Sequence, residues 1–223
     1  MPYSSEPAAA GAEAFLPGRR TLDALREAVH GCRGCPLYAN ATRAVFGSGS
    51  ATARMVLVGE QPGHEEDLRG APFVGPAGRV LDEALAAAGI ARADAYVTNA
   101  VKHFKWQPRG KRRLHSKPAY REVSACRPWL EAELAALRPQ VLVCLGATAG
   151  QSLFGPGFRI SRQRGAQPGG RWAPHIVASV HPSAVLRQPT HAGRIELLAT
   201  LVEDLRAAAA LLRGDGEDDV AGA

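Results

Sequence analysis

No apolar run in the chain approaches the roughly 20 residues that a membrane-spanning helix needs. The N-terminus, MPYSSEPAAAGAEAF, lacks the basic start and continuous apolar core of a secretory signal. A monomeric cytoplasmic protein with no membrane partner is therefore the expectation. Cysteine is scarce, at four of 223 residues, and a disulfide framework is not expected in a cytoplasmic chain. No internal repeat occurs. The loop Gly59-Glu60-Gln61-Pro62-Gly63 lacks the Gly-x-Gly-x-x-Gly spacing of a dinucleotide-binding turn. Between Lys102 and Arg121 there is no acidic residue at all.

What is present suits one well-buried domain: 46% hydrophobic and 22% charged residues. Residues 1–20, rich in Ala, Pro, Ser and Gly, read as a flexible tail, 21–212 as the domain, and 213–223 as an acidic tail. The 27 basic and 21 acidic side chains leave a net charge of +6. Four of those acids lie in Gly214–Ala223, so the body carries +10 and suits a polyanionic partner. Arginine outnumbers lysine heavily.

Four apolar runs read as buried strands: Met55–Val58, Ala95–Val101, Val141–Gly146 and His175–Val180. Helical patterns lie between them. Thr21 can cap a short helix ending at Gly31, and Ser116 with Pro118 can open the one ending at Pro139. A last helix spans about 192–212. Alternating strands and helices give an α/β, three-layer sandwich around a central, mainly parallel four-stranded sheet. Ligands of such sheets bind beyond the carboxyl ends of the strands. Chemistry-bearing residues stand there: Glu60, Gln61, Gly63 and Asp67 after the first run, Asn99 in the second, His181 after the fourth.

The segment KHFKWQPRGKRRLHSKPAYR joins eight positive charges to Phe104, Trp106 and Tyr120, reading as a basic loop. Cations for phosphate and rings for stacking favour a nucleic-acid surface over a merely solvated loop. Cys32-x-x-Cys35 with the distant Cys126 and Cys144 is compatible with zinc, with an iron–sulfur cluster, or with four ordinary buried thiols.

Gly59-Glu60-Gln61-Pro62-Gly63 followed by Pro72-Phe73-Val74-Gly75-Pro76-Ala77-Gly78 resembles the first motif of the iron–sulfur uracil-DNA glycosylases, and His181-Pro182-Ser183 is similar to their second. The resemblance covers about Leu25 to Leu212. It implies that Cys32, Cys35, Cys126 and Cys144 hold a [4Fe–4S] cluster. It also implies that Phe73 stacks on uracil, Asn99 reads its O4/N3–H edge, His181 donates to O2, and Glu60 and Gln61 lie beside the sugar. Gly63, Arg112 and Arg187 are expected to contact the substrate. The partner is uracil-containing DNA, single-stranded or with a flipped-out base.

Lys111-Arg112-Arg113-Leu114-His115 resembles the Lys-Arg-Arg-Ile-His insertion of the UdgX branch, whose histidine attacks C1′ of deoxyribose and stays attached. By this resemblance His115 is the nucleophile. The neighbouring Lys111, Arg112 and Arg113 are expected to keep it neutral, with Asp67 or Glu60 fixing its tautomer. Leu114 departs from the branch's Ile, and His64 stands where an acid is expected. The alternatives are a turnover glycosylase using water and an iron–sulfur nucleic-acid-binding module without chemistry.

Overall fold

A computed structural model describes residues 11–218. The apolar runs become β1 (Met55–Gly59), β2 (Ala95–Asn99), β5 (Val141–Leu145) and β7 (His175–Ser179), each wholly or almost wholly buried. The remaining strands are β3 (Trp106–Arg109), β4 (Arg112–His115) and β6 (Gly165–Gln167). The helices are α1 (Leu22–Ala28), α2 (His64–Arg69), α3 (Pro76–Ala87) and α4 (Tyr120–Leu137). They continue with α5 (Ala147–Phe154), α6 (Pro182–Leu186) and α7 (His191–Asp218). None among the described residues is long and apolar enough to cross a membrane.

The main sheet runs β2-β1-β5-β7-β6. Its first four strands are parallel, with Met55 paired to Ala95 and Val141, and Val141 to His175. Alternation along each strand divides the core in two. Val56, Val58, Leu142 and Cys144 join residues of α1 and α4 on one face. Met55, Leu57, Val143 and Leu145 join α3 and α7 on the other. The result is the expected three-layer α/β sandwich.

Several boundaries differ from the sequence reading. A fifth, antiparallel edge strand, β6, pairs Gly165–Gln167 with β7. Its three residues carry no apolar alternation, so nothing marked it as a strand. The basic loop is a hairpin in which Trp106 pairs with His115 and Arg109 with Arg112, turning at Gly110, φ +58°. Helix α4 begins at Tyr120, with the Glu122 carboxylate accepting the Ala119 N–H at 2.6 Å, rather than at Ser116. Ser116 instead extends the hairpin, its N–H donating to the Lys105 carbonyl.

The part of the predicted flexible tail that is described, residues 11–20, includes a segment packed on the domain. Ala12 is buried and its N–H donates to Ala125 of α4, while Arg20 pairs with Glu13. A backbone bond onto a core helix holds that segment against the domain. Helix α7 runs past Leu212 into the predicted acidic tail, as far as Asp218. Residues 1–10 and 219–223 of the two predicted tails lie outside the described residues.

Candidate active site

Each parallel strand delivers a side chain to one cavity of about 850 Å³ at the carboxyl edge of the sheet. Glu60 and Gln61 follow β1, Asn99 ends β2, Thr148 follows β5, and His181 follows β7. Phe73, Gly63, His115 and Arg187 complete the walls that matter for chemistry.

The Phe73 backbone is left-handed, at φ +56°. Two glycines make room for it. A Cβ on Gly78 would lie 1.7 Å from the Phe73 carbonyl oxygen. A Cβ on Gly59 would lie 2.7 Å from the Phe73 ring and 2.4 Å from Asn99 Oδ1. The ring and the carboxamide therefore converge over a spot that only glycine leaves open. The loop is pinned by Glu66, which accepts Gly63 N–H at 3.0 Å and Gly75 N–H at 2.8 Å. Among the described residues no protein hydrogen bond engages the Asn99 carboxamide, so its donor and acceptor remain free for a ligand edge.

His181 Nδ1 accepts the Ser183 N–H at 3.1 Å and lies 2.8 Å from Ser183 Oγ. Ser183 Oγ in turn accepts from Arg187 at 2.8 Å. Burial, aided by Arg187 and His115, pushes the His181 pKa down to about 4. It is therefore neutral at pH 7, and with Nδ1 an acceptor its proton sits on Nε2. That N–H is a donor suited to a developing oxyanion.

His115 projects from the end of β4, with Nε2 2.9 Å from Gln61 Nε2 and 3.3 Å from Glu60 Oε1. The Gln61 amide is oriented by Lys105, whose N–H donates to Gln61 Oε1 at 3.0 Å. Gln61 Nε2 can only donate, and shares its hydrogens among Lys105 O, Ser116 O and His115. Neutral His115 thus keeps its proton on Nδ1 and an electron pair on Nε2. Burial lowers its pKa; Glu60 opposes the shift and Arg187 adds to it. The far Glu60 oxygen, Oε2, accepts from Thr148 Oγ1.

Eight of the predicted residues thus meet in one cavity: Glu60, Gln61, Gly63, Phe73, Asn99, His115, His181 and Arg187. Two do not. Asp67, a residue of α2, is fully buried, accepting from Thr42 N–H at 2.9 Å and Arg113 at 2.7 Å, so Glu60 and not Asp67 faces His115. Arg112 is exposed on the hairpin, outside the cavity wall. The cations expected to act on His115 are corrected too: Arg187 does so, whereas Arg113 is turned to Asp67 and His64. His64, with its Nδ1 2.9 Å from Arg113 Nη2, accepts where an acid was expected. Sequence reasoning missed Thr148, Glu66 and Ser183. Thr148 had a usable signal, since it follows the carboxyl end of a parallel strand.

The four cysteines are buried together in the α1/α4 face of the core. Trp129 Nε1 donates to Cys32 Sγ at 3.1 Å and Lys102 N–H to Cys126 Sγ at 3.3 Å. Burial pushes the Cys35 thiol up to about 11 and those of Cys126 and Cys144 to about 12. Among the described residues no three His, Cys, Asp or Glu side chains converge tightly enough to hold a single metal ion.

Comparison with known proteins agrees with this geometry. The profile of the uracil DNA glycosylase superfamily matches residues 46–206. A type-4 uracil-DNA glycosylase of Archaeoglobus fulgidus is 41% identical over 176 residues, 76% of this chain and 85% of the relative. That of Thermotoga maritima is 36% identical over 197 residues, 87% and 96% of the two chains. A type-5 uracil-DNA glycosylase of Thermus thermophilus is 35% identical over 185 residues, 73% and 77%. On a match spanning most of its length, the chain belongs to the uracil DNA glycosylase superfamily.

Proposed function

We propose that this chain is a uracil-DNA glycosylase of the UdgX branch, which excises uracil and captures the abasic deoxyribose at C1′ on His115. One juxtaposition carries the reading: an imidazole nitrogen with an available electron pair stands 3.3 Å from the Glu60 carboxylate, at a cavity lined by Phe73, Asn99 and His181. The substrate follows from relatives that are named uracil-DNA glycosylases. On this reading the protein acts as a monomer on DNA in the cytoplasm.

The base must leave the duplex or arrive in a single strand. Phe73 then stacks on it and the Asn99 carboxamide pairs with O4 and N3–H. The N1–C1′ bond breaks and its electron pair departs with uracil, whose O2 is held by His181 Nε2–H. C1′ is left cationic beside Glu60. The Nε2 pair of His115 forms the new N–C bond, and the ring, still protonated on Nδ1, becomes a cation offset by Glu60. The uracil anion takes a proton from water.

The same reading gives Cys32, Cys35, Cys126 and Cys144 a [4Fe–4S] cluster. Each iron of such a cluster is held by one thiolate, so the sulfurs need not converge on a point as they would for zinc. Four cysteines in one core face, two of them receiving N–H···S bonds, suit that geometry. The cluster would supply a cross-link between the N-terminal segment, α4 and β5.

The test is a denaturing gel of the protein with uracil-containing DNA. A one-to-one complex surviving heat and detergent is expected, with none on thymine-DNA. His115→Ala should lose the complex while uracil release continues through water. Multiple turnover with no complex would establish the water-using enzyme instead. Absence of uracil release from any substrate would favour the binding module.

A further inference from the structure

We propose that Thr148 is a positioning residue for this reaction, fixing the rotation of the Glu60 carboxylate so that Oε1 faces His115. Thr148 is the second residue of α5, entered through Gly146, whose φ is +89°. A Cβ on Gly146 would lie 2.9 Å from His181 Cβ, so the turn is packed against the His181 loop and Thr148 has a fixed origin. The side chain lines the same cavity and is 2% exposed. Its hydroxyl donates to Glu60 Oε2, and Glu60 is its only side-chain hydrogen-bond partner among the described residues.

The terminal torsion of a glutamate is broad and loosely defined. Glu60 is half-buried at the mouth of the cavity, and no other described side chain hydrogen-bonds its carboxylate. His115 Nε2 lies 3.3 Å away and, carrying a lone pair, donates no hydrogen bond that would fix the rotation. With Oε2 held by Thr148, Oε1 is left toward Nε2 and the sugar. Without that bond the carboxylate turns freely, and the group that must meet both the sugar cation and the imidazolium is no longer in place. Small misplacements of this kind reduce rate disproportionately.

This inference rests on the reading of Glu60 as the carboxylate of the glycosylase reaction, and the experiment separates the two. Rates of uracil release and of adduct formation are measured for wild type, Thr148→Val, Thr148→Ser, Glu60→Gln and the double variant Thr148→Val/Glu60→Gln. Loss of one charge-assisted hydrogen bond should slow Thr148→Val roughly tenfold. Thr148→Ser, which keeps the hydroxyl, should recover most of the rate. In the Glu60→Gln background Thr148→Val should cost little more, because Thr148 acts through Glu60. Equal losses in both backgrounds, or a serine variant as slow as the valine one, would overturn the proposal. Should the valine variant not fold, Thr148→Ala carries the same comparison. If wild type releases uracil without an adduct, the His115 reading falls, and uracil release still decides Thr148. If wild type releases none, both readings fall.

Discussion

Replacing Arg113 by methionine keeps the aliphatic stem and removes the guanidinium that fastens the hairpin to the body. That group donates to Asp67 Oδ2 at 2.7 Å, Thr42 Oγ1 at 3.1 Å and His64 Nδ1 at 2.9 Å. It also lies 5.6 Å from the centroid of Phe104 and 5.5 Å from that of Trp106. Breaking a buried ion pair by removing one partner costs about 3–5 kcal/mol. Asp67 keeps its bond from Thr42 N–H and Arg113 is 17% exposed, which favours the lower end. The two ring contacts add roughly 0.5–1 kcal/mol each. A hairpin-opening free energy lower by about 4 kcal/mol means exchange faster by on the order of a thousandfold. Hydrogen exchange read by mass spectrometry on peptides spanning 104–117 would report it, the Ser116 N–H to Lys105 bond being the marker. Adduct yield should fall with it, because His115 rides on the same strand. If exchange is unchanged while DNA affinity drops and its salt slope shrinks by about one, Arg113 contacts phosphate and the latch is wrong.

Other consequences are quicker to state. Asn99→Asp places an acceptor where O4 needs a donor, so uracil excision should fall and weak cytosine excision should appear; an unchanged uracil rate would remove Asn99 from that edge. Burial holds His103 and His181 near a pKa of about 4, so the unfolded chain binds more protons between pH 4 and 6.5 and stability should drain away as pH falls through that window. For His103 the loss reaches roughly 3 kcal/mol, and urea midpoints measured across the window should shift less in His103→Asn. The protein should purify brown with iron and sulfide, and Cys→Ala at Cys32, Cys35, Cys126 or Cys144 should lower folded yield more than specific activity; zinc without iron would rule the cluster out.

The four parallel strands were legible because a strand covered on both faces must be apolar throughout, as Val141–Leu145 is. Their carboxyl ends then put Glu60, Asn99 and His181 along one edge, and the resemblance supplied the role expected of each. Strand β6 was not legible, because a three-residue edge strand needs one neighbour and no apolar side. The hairpin was hidden for a related reason: Gln107, Pro108 and Arg109 are exposed, and what holds the pair of strands down comes from elsewhere in the chain. Gln61, at the end of β1, bonds Lys105 and Ser116 at the hairpin's two ends, and Asp67 bonds Arg113. Neither contact leaves a mark on the hairpin's own sequence.

The same docking explains which charges act on His115. Along a strand, alternate side chains share a face. Arg113 and His115 therefore share a face, on which Arg113 reaches Asp67 and His115, though largely exposed itself, borders the cavity, while Arg112 and Leu114 lie on the other side. Sharing a face would bring the Arg113 charge close to the imidazole, but Asp67 neutralises it and draws it toward α2. Arg187, remote in sequence, is the cation whose field reaches both His115 and His181. One guanidinium thus disfavours protonation of His115 and of His181 together. It is tied to the second of them through Ser183. Lys111, Arg112 and Arg113, adjacent to His115 in the motif, are thus not the groups that lower its pKa; burial and Arg187 do so, and the inward-facing Arg113 is engaged by Asp67.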